Sequence, residues 1–184
     1  MKRHKLIGYI AYFVGLATLS HAQAIPTASR GGTIQVGVGG TFISPDYAQR
    51  YIKGISVYGG VDFLHHLGVE GDVHISAITP TDIAENTYLI GPRYRLDYGR
   101  FHPYAKALVG IGTFQYQQGS LGHGYANGGT FKYFVYGVGG GLDIKATEHI
   151  NVRAIDLEYQ EWPGYATSGL TPVVTTIGVA YVFR

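Results

Sequence analysis

Apolar and polar residues alternate with a period of two along most of this chain. The clearest stretch spans residues 67–78, where alternate positions are apolar and the others carry Glu70, Asp72, His74 and Ser76. A period of two is that of a β-strand, in which successive side chains point to opposite faces. The same alternation predicts strands at about residues 32–43, 54–64, 67–78, 86–97, 102–116, 131–145, 150–161 and 173–184.

Two features depart from a regular strand. Ala154 and Ile155 are adjacent apolar residues that cannot both face outward in a regular strand. A β-bulge at this point restores the alternation and keeps Arg153 and Asp156 on one face. Pro92 lies inside the fourth predicted strand and lacks the N–H group that a strand ladder needs, which is unusual in a central strand and leaves the local pairing open.

The predicted connections are very short after the second, fourth and sixth strands and longer after the others. Tight turns on one side and longer loops on the other, joining alternating segments of about 10 residues, are typical of outer-membrane barrels. We therefore predict an all-β fold, an eight-stranded antiparallel up-and-down transmembrane β-barrel. An even number of strands places both termini on one side, which is predicted to be the periplasm. Residues 44–53, 79–85, 117–130 and 161–172 are then extracellular.

A soluble lipocalin-type barrel also has eight strands, with its apolar face inward, and three features favour the membrane barrel. The strands are long enough to cross a bilayer at a tilt. Aromatic residues cluster near strand ends, as they do in the interface girdles of membrane proteins. Those near one end are Phe63, Tyr94, Phe101, Tyr181 and Phe183, and those near the other are Tyr88, Phe134, Tyr136 and Tyr159. The polar face carries charges of both signs that can pair only in a shared interior. The predicted interior charge network is Glu70, Asp72, Arg93, Arg95, Lys106, Asp143, Arg153, Asp156 and Glu158.

The final strand ends in Tyr181 and Phe183 on its apolar face, followed by Arg184. A terminal strand with aromatic residues at its tip resembles the C-terminal assembly signal of bacterial outer-membrane β-barrels. From residue 32 onward the chain resembles the small eight-stranded outer-membrane family that includes the barrel half of outer-membrane protein A. That resemblance implies contact with outer-membrane lipid and lipopolysaccharide, and with the barrel-insertion machinery during assembly.

The N-terminus has the pattern of a secretory signal peptide. Residues 1–5 are basic, residues 6–19 are an apolar run, and small residues at a cleavage spacing end at Ala22 and at Ala24. An uncleaved anchor is the alternative, but the run is shorter than the span of about 20 residues that a helix needs. We predict a signal peptide over 1–22 (alternatively ending at residue 24), a short lead over 23–31 and a barrel domain over 32–184.

Composition agrees with an envelope β-protein. The chain has 28 Gly, 16 Tyr, only 14% charged residues and no Cys, so it has neither a disulfide framework nor a cysteine zinc site. Removal of the signal peptide takes away three of the 14 basic residues and leaves 11 against 12 acidic ones. The basic character therefore belongs to the precursor, and it gives no reason to expect nucleic-acid binding.

No motif predicts catalysis, a cofactor or a metal site. His74 and Ser76 are two residues apart, as in lipid A deacylase barrels, but the alternation puts both inside the barrel. Asp156 and Glu158 could hold a cation, although partnership with Arg153 explains them more simply. The glycine run at 137–141 lacks the complete dinucleotide-binding fingerprint, and inward glycines make room for long side chains in a barrel.

The sequence thus predicts a non-enzymatic, monomeric barrel with a structural or surface-binding role and an interior plugged by ion pairs. A narrow porin-like channel is the alternative. Inward glycines that line the upper half of the lumen are expected to leave room for water, and they are Gly37, Gly39, Gly110, Gly112, Gly137 and Gly139. A lipid-modifying enzyme is a weaker alternative. The ligand of the loops is not readable. Aromatic residues suited to binding in the predicted loops are Tyr47, Tyr51, Tyr125, Trp162 and Tyr165.

The terminal aromatic residues lead to a first prediction. Replacing Phe183 by Asp is expected to cut insertion severalfold and to leave protease-sensitive chain in the periplasm, because the assembly signal is lost. The measurement is the amount of folded protein in outer-membrane fractions. Phe101→Asp removes another girdle aromatic outside the signal and serves as the control. Normal outer-membrane levels of the Phe183 variant would contradict the assignment.

Overall fold

The structure is a computed structural model, and it describes residues 32–46, 51–76, 83–116, 129–165 and 169–183. These residues form eight strands in chain order. The strands are β1 (Thr33–Ser44), β2 (Ile52–Asp62), β3 (Leu67–Ile75), β4 (Ile83–Arg95), β5 (Phe101–Tyr116), β6 (Gly129–Lys145), β7 (Ile150–Glu161) and β8 (Val173–Phe183).

Every strand pairs antiparallel with its neighbours in sequence, and β8 pairs with β1 to close the sheet into a barrel. Closure satisfies the backbone groups that an open sheet would leave unpaired at its edges, which lipid requires. Val38 illustrates the register, since it lies opposite Val57 on β2 and Val179 on β8. The predicted eight-stranded up-and-down barrel is confirmed. Among the described residues, no helix is both long and apolar enough to cross a membrane.

The apolar face of the sheet points outward and the polar face points into the lumen. On β3, Val69 is 37% exposed whereas the neighbouring Glu70 is fully buried. On β8 the same alternation runs from Val173 to Phe183. All the predicted girdle aromatics are exposed on the outer face: Phe63, Tyr88, Tyr94, Phe101, Phe134, Tyr136, Tyr159, Tyr181 and Phe183. This is the arrangement of a membrane barrel, and it is the reverse of a soluble one.

The predicted bulge is present in β7. The register with β8 shifts between Arg153 and Asp156, and Ala154 and Ile155 are both exposed on the outer face. Arg153 and Asp156 consequently both point into the lumen, although they are three residues apart in sequence.

The pairing at Pro92, which the sequence left open, is complete on one side of β4 and interrupted on the other. Pro92 lies opposite Val69 on β3, and it lies on the outer face. On its other side, β4 and β5 pair at Ile90–Val109 and again at Arg93–Lys106, and Gly91 and Pro92 between them are unpaired with β5. The neighbouring Gly91 is required by close approach, because a Cβ there would overlap the carbonyl oxygen of Ala107.

Several predicted strand ends were wrong by two or three residues. β2 begins at Ile52, because its side chain is buried against Ile43 and Val174. β4 begins at Ile83 and ends at Arg95. The next residues form a tight turn, in which Tyr98 N–H donates to the Phe101 carbonyl at 2.9 Å and Gly99 has a φ of 64°. β3 ends at Ile75, before the predicted residue 78.

Candidate functional site

A network of charged side chains from five strands fills the middle of the lumen and the part nearer the start of β1 and the end of β8. Each of its members is at most 4% exposed. The members are Glu70 and Asp72 from β3, Arg93 from β4, Lys106 from β5, Asp143 from β6, and Arg153, Asp156 and Glu158 from β7. We refer to these residues as the charge network. They are brought together because each lies on the inward face of its strand.

Lys106 is the common partner of four carboxylates. Its Nζ lies 2.6 Å from Asp72 Oδ2, 2.7 Å from Asp156 Oδ2 and 2.7 Å from Glu158 Oε1. A longer contact of 3.2 Å reaches Glu70 Oε1. An ammonium group has only three protons to donate, so these four contacts use its capacity fully.

Two arginines extend the network toward β6. Arg93 Nη1 lies 2.9 Å from Glu70 Oε2, and its Nη2 donates to Asp143 Oδ2 at 2.6 Å. Arg153 donates to Glu70 Oε2 at 2.9 Å, to Asp143 Oδ1 at 3.1 Å and to Asp156 Oδ2 at 3.0 Å. Glu70 is therefore shared by Arg93, Arg153 and Lys106. Removal of Arg93 would leave Glu70 with two cationic partners, so it would not be stranded.

Two tyrosines pack against the arginines. The guanidinium carbon of Arg153 lies 3.7 Å from the ring centroid of Tyr58, and that of Arg93 lies 4.1 Å from the centroid of Tyr104. Such cation–π contacts stabilise a desolvated guanidinium. Tyr104 also donates its hydroxyl hydrogen to Asp156 Oδ2 at 2.6 Å.

Arg95 was predicted as part of this network but lies in a separate cluster at the end of the barrel where β1 begins and β8 ends, which we call the terminal end. It pairs with Asp62 at 2.5 Å and with Asp97 at 3.2 Å. His102 Nδ1 lies 2.7 Å from the same Asp97 oxygen. Arg95 is the last residue of β4, so its long side chain reaches the rim rather than the centre.

The opposite half of the lumen is filled by an apolar cluster. We call this cluster the apolar plug. Its fully buried members are Leu89, Leu108, Phe114, Val135, Trp162 and Leu170, with Tyr133 and Tyr165 packed against them. The expectation that inward glycines leave room for water was wrong at Gly112, beside the apolar plug, and at Gly37, beside the charge network. The space beside Gly112 is occupied by the indole ring of Trp162, and the space beside Gly37 by the ring of Tyr58.

Trp162 was predicted as a loop aromatic available for binding, but its side chain is 0% exposed. The backbone turns it inward, since Trp162 N–H donates to the Leu170 carbonyl at 2.9 Å and Tyr165 N–H donates to the Trp162 carbonyl at 3.0 Å. Tyr165 is also turned inward, 4.9 Å from Phe114 between ring centroids. Tyr51 is 69% exposed, whereas Tyr47 and Tyr125 lie outside the described residues.

Two hydrogen bonds tie this loop to the segment that follows β1, the strand adjacent to β8 in the closed barrel. Thr171 donates both its N–H and its hydroxyl hydrogen to Asp46 Oδ2, each at 3.1 Å. Inside the lumen, Trp162 Nε1 donates to Gln160 at 3.4 Å and Gln160 donates to Glu158 at 3.0 Å. The apolar plug and the charge network are thus linked through alternate residues of β7.

His74 and Ser76 both lie inside the barrel, as the alternation predicted, and each is engaged in structural contacts. His74 Nδ1 lies 2.9 Å from Thr87 Oγ1, and its Nε2 lies 3.7 Å from Glu158. Ser76 donates its hydroxyl hydrogen to the Glu85 carbonyl at 2.6 Å and accepts from Glu85 N–H at 2.7 Å. Neither side chain faces the lipid surface.

Oxygens of Glu70, Asp72 and Asp156 lie within 4.8 Å of one another, a spacing compatible with a metal ion. Lys106 Nζ lies at 3.2, 2.6 and 2.7 Å from these same three carboxylates. A side-chain ammonium therefore occupies the position that a bound cation would take. The glycine run at 137–141 is part of β6 and packs against β7, in a context unlike the strand-to-helix turn of a dinucleotide site.

The assembly aromatics Tyr181 and Phe183 lie on the outer face of β8 at 48% and 51% exposure. Their ring centroids are 4.8 Å apart, and His149 stacks on Tyr181 at 5.7 Å. In the closed barrel they lie opposite Val36 and Ile34 of β1.

The comparisons with known proteins agree with this geometry. Residues 10–183 match the model of the outer membrane protein beta-barrel domain family, and the chain belongs to that family. It is accordingly a barrel protein of the bacterial outer membrane. No curated protein matches the chain.

Solved structures with the same fold share little sequence with the chain. OprG from Pseudomonas aeruginosa has 17% identity and a TM-score of 0.60, with 84% of this chain and 97% of that chain covered. Neisserial surface protein A has 16% identity and a TM-score of 0.58, with 83% and 97% covered. Ail, the attachment invasion locus protein of Yersinia pestis, has 15% identity and a TM-score of 0.55, with 83% and 99% covered.

The charge network generates a comparative prediction. Lys106→Met is expected to destabilise the barrel by about 3–5 kcal/mol, because it leaves Asp72 and Glu158 without their ammonium partner. Arg93→Met is expected to cost less, about 1–3 kcal/mol, because Arg153 still contacts Glu70 and Asp143. The measurement is the free energy of unfolding in urea, in phospholipid vesicles. Lys132→Met, on the exposed outer face, is the control, with a change within about 0.5 kcal/mol. Equal losses at Lys106 and Arg93 would contradict the central place of Lys106.

Proposed function

We propose that this protein is a sealed, non-enzymatic barrel that anchors its extracellular loops at the cell surface for a structural or binding role. The observation that carries the proposal is the filling of the described lumen by two successive layers. The charge network occupies the part nearer the terminal end, where β1 begins and β8 ends, and the apolar plug occupies the part nearer the opposite mouth. A barrel without a water path leaves its surfaces as the parts available for function.

The two alternatives have less support. A narrow porin-like channel needs a continuous polar path, whereas Phe114, Val135 and Trp162 are each 0% exposed inside the barrel. An eight-stranded barrel has an interior just wide enough for side chains to fill. A lipid-modifying enzyme needs a nucleophile that meets lipid, whereas His74 and Ser76 are at most 1% exposed.

The proposed orientation sets both termini in the periplasm. Its support is the difference between the two ends of the barrel. At the terminal end, the connections 63–66, 96–100 and 146–149 are short, while the opposite end holds 45–51, 76–82, 117–128 and 162–172. Outer-membrane barrels have short periplasmic turns and longer extracellular loops.

Single-channel recording in planar bilayers tests the sealed barrel. The wild-type protein is expected to give no steady conductance, because both layers block the lumen. Trp162→Ala is expected to lower stability by about 3–5 kcal/mol while still giving no channels, since the charge network stays in place. Tyr51→Ala, at an exposed loop residue, is the control. Stable channels of one defined size from the wild-type protein would replace this proposal with the pore.

Surface labelling of intact cells tests the orientation separately. A tag placed within 122–127, a predicted loop outside the described residues, is expected to be reached by protease from outside. A tag at His65-His66 is expected to be protected until the outer membrane is opened, because that turn lies at the terminal end. Labelling in the opposite sense would invert the proposed topology.

A further inference from the structure

The outer face of the barrel has an apolar hollow where strands β1 to β4 adjoin. Its volume is about 480 Å³. One row of paired residues crosses it, in which Val36 lies opposite Gly59, Gly59 opposite Gly71, and Gly71 opposite Ile90. The adjacent row pairs Val57 with Val73 and Val73 with Tyr88. Two neighbouring glycines are therefore enclosed by branched and aromatic side chains, and we call this feature the glycine hollow.

Nothing in the fold requires glycine at these two positions. A Cβ at Gly59 would meet only the Gln35 carbonyl oxygen at 3.5 Å, and a Cβ at Gly71 only that of Leu89 at 3.7 Å. Both distances are ordinary van der Waals contacts. Gly91 and Gly110 differ, because a Cβ at either would overlap a neighbouring backbone carbonyl. Glycine weakens a strand interior, and where the fold does not demand it, it often marks the close approach of a ligand or another backbone.

The shape of the hollow selects between those two occupants. A symmetric dimer brings the same patch of each subunit together, and two concave patches face to face would enclose a void. The atoms lining such a void would lose dispersion contacts. A slender apolar group fills the concavity instead. In the described part of the hollow, the outward side chains are Val36, Val57, Val73, Tyr88 and Ile90.

A second apolar hollow lies on the other side of Val36. It has a volume of about 300 Å³ and is lined by Val38, Ile150, Val179 and Tyr181. Val36 thus separates two hollows on the lipid-facing surface. This pair of hollows suits a lipid with two chains, one on each side of the Val36 side chain.

We infer that the glycine hollow is a binding site for an acyl chain of a membrane phospholipid. Gly59 lies three residues from the end of β2 and Gly71 four residues from the start of β3, both toward the chain termini. Under the proposed orientation that end lies in the periplasmic leaflet, which is why the occupant is a phospholipid rather than lipid A. The site requires only the outer surface of the barrel and holds whether or not the lumen conducts.

Native mass spectrometry of the refolded full barrel tests this site, with palmitoyl-oleoyl phosphatidylethanolamine and lipid A offered together. The wild type is expected to keep one phosphatidylethanolamine at activation energies that strip all other lipid. Gly71→Leu fills the hollow and is expected to reduce that one-lipid species at least fivefold. Gly40→Leu is the control, since Gly40 is a single outward glycine with open space around a Cβ.

Folding of each variant is checked first by its heat-dependent mobility in SDS gel electrophoresis. If Gly71→Leu fails to fold, Gly71→Ala, which adds one methyl group, replaces it. An equal one-lipid species in the wild type and the filled variant would overturn the site. Preferential retention of lipid A would overturn the choice of phospholipid. A dimer in the mass spectrum of the wild type that is absent from the filled variant would instead assign the hollow to a second copy of the chain. If surface labelling showed the opposite orientation, the leaflet would no longer favour a phospholipid over lipid A. The site itself would still be supported by one retained phospholipid that is lost in the filled variant.

Discussion

The ammonium group of Lys106 is contacted by four carboxylates inside the barrel. The side chains of the charge network are arranged around it. Isolated charges of this kind cost several kcal/mol each when they are buried, and only close partners offset that cost. Lys106 reaches carboxylates on β3 and on β7, strands that are not neighbours in the sheet. The charge network therefore connects opposite parts of the wall, which the backbone ladder connects only through intervening strands.

The network contains five carboxylates but only three cations, so neutral donors complete it. Tyr104 and Gln160 donate hydrogen bonds to Asp156 and Glu158, and the tyrosine rings cover the arginine faces. The lumen of an eight-stranded barrel is narrow, so these rings fit only where the facing residue has no side chain. Glycines supply such places, since the ring of Tyr58 lies over Gly37 and the hydroxyl of Tyr104 lies 2.6 Å from the Cβ position of Gly141. Small and large residues thus alternate around the lumen, as they do in filled barrels generally.

The period of two was sufficient to predict the number of strands and which side chains share a face. The lengths of the connections were needed for the pairing order, and the strand lengths, aromatic positions and paired charges were needed for the inward face. The period of two also predicted the bulge at Ala154 and Ile155. Applying it only within the predicted strands was insufficient for residues at or just beyond a strand end. Arg95 has the inward phase of the network, yet its position at the end of β4 sends it to the rim. Trp162 follows the same inward phase as Glu158 and Gln160, and continuing that phase one step past the strand would have placed it in the lumen.

The bulge in β7 has a consequence for how such a wall can change in evolution. In a regular strand, gaining or losing a single residue exchanges the lipid side with the lumen side for everything beyond it. Arg153 and Asp156 share the lumen only because one extra residue is absorbed between them. Loss of Ala154 alone would make the segment a regular strand, in which Arg153, Ile155 and Asp156 face inward, outward and inward in turn. Insertions or deletions within the other strands must then come in pairs of residues. In β7, one residue can be lost while the side chains before and after the bulge keep the side of the wall that they face.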